Sequence, residues 1–130
     1  MFSHPAVIVH GIDQVRQALR PGRPVVLLSG LGAALYAGTG WWRAMMDIGQ
    51  AEFPGTVLAD ILDCAAAPGR AMDALRAGQR AIRLDASVPA WSRVLAIADR
   101  SISAVVTAGG LIGGSQVTRR QSCARARILL

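Results

Sequence analysis

Apolar residues recur along this chain in two rhythms. Short continuous apolar runs alternate with longer stretches where apolar positions return every three or four residues. The first pattern marks buried strands and the second amphipathic helices. The runs Ala6–Val9, Pro24–Leu28, Thr56–Leu62, Ala81–Leu84 and Ile102–Thr107 read as strands. Pro24–Leu28 is apolar on both faces, as parallel strands between covering layers are. Helices are expected between them. Asp13–Leu19 is a short helix with Asp13 as its cap, ended by Arg20-Pro21-Gly22. Trp41–Phe53 follows, with Thr39 as the expected N-cap and Trp42, Met45, Met46 and Gly49 on one face. Pro68–Ala77 has proline in its first turn and Gly78 beyond its end. Pro89–Arg100 carries a stripe of Trp91, Val94, Leu95 and Ala98.

This alternation predicts an α/β fold, with about four or five mainly parallel strands in one small sheet and helices packed against it. The domain is expected over residues 1–108, and 109–130 as a Gly-rich linker and basic tail, loosely held. A flavodoxin-like strand order is one arrangement such a chain can take. Ligands in sheets of this kind sit at the strand carboxyl ends. Here those ends carry His10, Ser29, Asp63, Cys64, Asp85 and Thr107.

Composition narrows the chemistry. All fourteen basic residues are arginine, and the chain has neither lysine nor asparagine. Schiff-base chemistry on lysine and a P-loop lysine are therefore excluded. This usage has the stamp of a GC-rich genome. The net charge of +6 is uneven: Arg119, Arg120, Arg125 and Arg127 stand in a tail without acids. No nucleic-acid motif accompanies them, so no specific nucleic-acid partner is expected. Cys64 and Cys123 form no CxxC and have no histidine at metal spacing, which suits a reducing cytoplasm. Neither a metal nor a cofactor is expected. The amino terminus lacks the basic region of a secretory signal.

Pro24 to Trp42 is nineteen residues without a charge, long enough for a membrane span. Its glycines and Pro24 favour strand, turn and helix instead. Gly30-Leu31-Gly32-Ala33-Ala34-Leu35 begins as a dinucleotide-binding turn does, but Leu35 replaces the third glycine. Asp63 at a strand tip reads either as a loop cap or as an acid, base or ligand. Asp60 in mid-strand is awkward, and suggests that the strand starts near Ala59. His10 and Cys64 would form a dyad only if the first and third strands were neighbours.

The stretch from Ser29 to Leu35 resembles the turn of the STAS family, the fold of anti-sigma factor antagonists. That family carries Asp-Ser-Ser-Gly-Leu-Gly where a central strand enters a helix. The resemblance implies a mixed sheet with helices largely on one side, and action by docking proteins. It makes Ser29 the phosphorylated or partner-contacting position, or Thr39 if Gly38-Thr39-Gly40-Trp41 is the turn. Leu27 or Ala37 then stands where the family has its acid.

The leading expectation is a small regulatory or protein-interaction module without catalysis of its own. Ser29, Gly30, Gly32, Thr39 and Trp41 would form its docking surface for a protein partner. The alternative is a domain that binds a small, anionic ligand, or an enzyme, with its site at His10, Ser29, Asp63 and Asp85.

Overall fold

A computed structural model describes residues 6–100, 104–107 and 110–111. It is an α/β domain. The elements run β1 (Ala6–Val9), α1 (Ile12–Leu19), β2 (Val25–Ser29), α2 (Ala33–Tyr36), α3 (Thr39–Glu52) and β3 (Val57–Asp63). There follow α4 (Pro68–Arg76), β4 (Ala81–Arg83), α5 (Trp91–Arg100), β5 (Ala104–Thr107) and β6 (Gly110–Leu111). One sheet holds the strands in the order β1-β2-β3-β4-β5-β6. Strands β1 to β5 are parallel, and β6 returns antiparallel to β5.

Position in the sheet equals position in the sequence. Each crossover steps the same way, and connections of one hand then all pass over the same face. One core cluster accordingly joins Val15 and Leu19 of α1, Ala33 and Ala34 of α2, and Trp42 and Met46 of α3. It also holds Ala71 and Leu75 of α4, Val94 and Ala98 of α5, and one face of the sheet. A second, smaller cluster on the other face comes from strands alone: Val26, Ala59, Ile61 and Ala81, with Leu28 against it.

A bulge in β3 decides which residues face which way. Val25 pairs with Val57, but Val26 pairs with Ala59, so Leu58 is the extra residue. The alternation inverts there. Ala59 and Ile61 join the strand-only cluster, while Leu62 and Cys64 join the helix-side core. Asp60 is thus in mid-strand on the helix side, and the strand does not begin near Ala59 as its charge suggested.

Other boundaries shift for local reasons. Gly11 caps α1 without a side-chain hydrogen bond, so Asp13 is a first-turn residue and not the cap. Gly38 caps α3, with φ of 90°, and Thr39 is already helical. Pro68 opens α4 as expected, and Gly78 follows its end with φ of 93°. Strand β6 lies inside the segment expected to be linker, pairing Gly110 and Leu111 with Thr107 and Val106. The arginine tail and Cys123 lie outside the described residues. The uncharged stretch from Pro24 to Trp42 is a strand, a turn, the short α2 and the start of α3, and no described helix is long and apolar enough to cross a membrane.

Helices α1 and α3 meet at Gly49. A Cβ there would stand 3.1 Å from both Leu19 Cδ1 and Val15 Cγ1. Arg16 closes the same contact from outside with two hydrogen bonds to Glu52, at 2.8 and 2.9 Å. Gly49→Leu should overpack this seam and cost about 1–3 kcal/mol. Urea unfolding would read it as a lower midpoint with an unchanged slope.

Candidate functional site

The carboxyl end of β2 runs into a turn that β3 holds in place. Ser29 is only 3% exposed. Its hydroxyl accepts from the Asp63 N–H at 2.8 Å and donates to the Gly30 carbonyl at 3.1 Å. Asp63, equally buried, returns the tie. Its Oδ1 accepts from the Gly32 N–H at 3.0 Å and from the Ala65 N–H at 2.8 Å. The second of these closes an Asx turn. Ala65 there adopts φ of 49°, a left-handed conformation that costs a residue with Cβ about 1–2 kcal/mol. Arg83, the partner of Asp63 in strand register, sets its Nε 3.7 Å from Asp63 Oδ2. Asp63 is therefore a cap, one of its two readings from sequence.

This arrangement takes two of the N–H groups that a phosphate loop would use. The Gly32 N–H points at Asp63, and the Ala33 N–H donates to Gly30 O at 3.1 Å. Helix α2, at four residues, is too short to add a useful dipole. Ser29, expected to be an exposed hydroxyl, instead lies under the turn. Its own hydrogen bonds to β3 put it there.

What the turn exposes is apolar. Leu31 is 78% exposed, Tyr36 68% and Leu35 48%. Beside them, His10 and the Tyr36 hydroxyl close over Gly30. A Cβ on Gly30 would stand 2.7 Å from His10 Nδ1 and 2.9 Å from the hydroxyl oxygen. Glycine is needed here for room. Thr39 and Trp41 are half-buried at the start of α3, and the Trp41 ring lies 6.1 Å from that of Trp42, centroid to centroid.

The remaining expected site residues do not converge. Strand β1 neighbours only β2 among the described residues, so the adjacency that a His10–Cys64 dyad requires is not met. Cys64 is fully buried, with Sγ 3.8 Å from Leu62 O. Burial, and then the Asp63 charge, push its thiol from an ordinary 9.0 up to about 12. Asp85 is exposed and folds back on Ser87, whose backbone N–H donates to it at 2.9 Å. Hydrogen bonds from Ser87 hold its carboxyl below the usual range. Among the described residues, no group of three or more His, Cys, Asp or Glu is placed to hold a metal.

A second polar centre went unread in the sequence. Asp60 Oδ1 accepts from Trp42 Nε1 at 2.9 Å, Gln79 Nε2 at 2.7 Å and Arg43 at 3.2 Å. Arg43 also donates to Gln79 Oε1 at 2.7 Å. The available signal was the carboxylate in an apolar strand, since a buried charge demands partners. For the apolar turn, the signal was Leu31 between two glycines, where neither strand nor helix could bury it.

No protein-family model, curated protein or solved structure matches this chain.

The Ser29–Asp63 tie and the buried Cys64 thiol each have a measurable consequence. Ser29→Ala leaves the buried Asp63 N–H without its acceptor, and should lower stability by about 1–3 kcal/mol in denaturant titration. Raising the folded pKa of Cys64 gives stability that is complete below 9.0 and is lost as pH rises toward about 12. Across that window the wild type should lose stability relative to Cys64→Ala. At neutral pH, iodoacetamide should label Cys64 only after unfolding.

Proposed function

We propose that this protein is a small regulatory or protein-interaction module that docks through the apolar turn after β2. One observation carries the reading. Leu31, Leu35 and Tyr36 are exposed on a turn that Ser29 and Asp63 fix to the sheet. Exposed apolar side chains add nothing to the fold, and grouped ones mark contact surfaces. A fixed turn loses little further freedom when a partner covers it. Trp41, half-buried at the start of α3, adds an aromatic edge of the type that anchors interfaces.

The STAS resemblance supports the same reading. Helices gathered on one side of the sheet suit what it implies, and the apolar turn stands where that family contacts partners. Ser29 then serves as a tie and not as the modified hydroxyl. Thr39, half-buried and first in α3, is the hydroxyl a kinase could reach. A phosphate there would meet free N–H groups at the positive end of a long helix. A ligand site at the strand carboxyl ends is less well supported. The crevice used by open α/β sheets forms where strand order reverses, and this order does not reverse.

The test is a pair of surface variants, Leu31→Asp and Tyr36→Ser, used as bait beside the wild type in lysate of the parent cells. Both should melt as the wild type does. Each should lose at least about tenfold in retention of a protein that the wild type captures saturably. Equal retention by all three baits would remove the turn from the docking surface.

A further inference from the structure

The Asp60 centre opens on a cleft of about 370 Å³, within the range of small-molecule sites. Its lining is Arg43, Gln50, Ala59, Asp60, Gly78 and Arg80. It borders the amino-terminal approach to β4, whereas the apolar turn follows the carboxyl end of β2. We propose that this cleft binds a small zwitterion of the α-amino-acid class, its ammonium on Asp60 and its carboxylate between Arg43 and Arg80.

The argument begins with the way the hydrogen bonds are shared out. All three donors to Asp60 converge on one oxygen, Oδ1. Its Oδ2 has no hydrogen-bond partner among the described residues, although Asp60 lines the cleft. A carboxylate can accept on both oxygens. Here Oδ1 takes every side-chain donor, and Oδ2 keeps its acceptor capacity on a residue that lines the cleft. Arg43 shows the complementary asymmetry. One terminal nitrogen serves both Asp60 and Gln79. Its Nε and second terminal nitrogen have no partner among the described residues. Arg80 is exposed and, unlike Arg43, has no ion pair among the described residues.

The cleft therefore presents one open carboxylate oxygen and two guanidinium groups. A simple anion would gain from the arginines but meet Asp60. A simple cation would meet the reverse. A molecule carrying both charges a few bonds apart satisfies each group with its opposite. The frame is already ordered. Gln79 is fully buried, its amide committed to Asp60 Oδ1 at 2.7 Å and to Ala81 O at 2.9 Å. Arg43 is held at 28% side-chain exposure by its two acceptors. Such prior ordering favours binding because little freedom remains to be lost.

The Trp42 indole N–H donates to the same carboxylate, so its proton resonance reports on the cleft. The experiment titrates the full chain with each standard α-amino acid. Acetate and methylamine serve as the two half-molecules. At least one amino acid should move the Trp42 indole signal saturably, and neither half-molecule should. Arg80→Gln, at an exposed position, should keep the wild-type melting temperature and weaken that binding at least about tenfold. Asp60→Asn retains an acceptor for Trp42 but loses the charge, and should abolish it. If no amino acid moves the signal at millimolar concentration, the proposal fails. It fails equally if acetate alone reproduces the shift, or if Arg80→Gln binds as the wild type does. Neither the apolar turn nor its partner enters this test, so the two readings stand or fall separately.

Discussion

The handedness of parallel crossovers governs this molecule. Five strands added in sequence order, each by a connection of the same hand, leave every described helix on one side. The core then has to be built on that side, where Trp42, Leu27, Leu62 and Ile82 are fully buried. Among the described residues, the carboxyl ends of the strands form a row in which the strand order does not reverse. The chain's polar chemistry is made locally, by individual side chains on β3.

Two carboxylates of that strand do so on opposite sides of the sheet. Asp63 stiffens a turn that would otherwise be a loose run of glycines. Asp60 joins the start of α3 to the approach of β4 through Arg43 and Gln79. A charge withdrawn from water is tolerated only when hydrogen bonds replace the lost solvation. Both aspartates gather hydrogen bonds on Oδ1, in different ways. Asp63 receives backbone N–H groups and fixes local geometry. Asp60 receives side chains from separate elements and so depends on the whole packing.

The alternation of elements was legible because its two periodicities are distinct. Runs such as Val25–Leu28 and the stripe Trp42, Met45, Met46 and Gly49 state their roles directly. Helix α2, a single turn of four residues, and β6, of two, are too brief to show a period. Asp13 and Thr39 have the chemistry of caps, but glycine takes the cap position two residues before the one and one residue before the other. Strand order is a long-range property, and no local pattern encodes it. That hid the separation of His10 from Cys64. Ser29 looked like a surface hydroxyl for the same reason, since its burial depends on Asp63, thirty-four residues away.

The extra residue at Leu58 works like a frame shift in three dimensions. From Ala59 onward, it sets which side of the sheet each β3 residue addresses. Loss of that single residue would exchange the two sets. Asp60 would leave Trp42 and Gln79, Leu62 would leave the core, and Ile61 would turn toward the helices. Length at this point is thus under tighter constraint than side-chain identity: the strand can accept a different residue at 58 more readily than none.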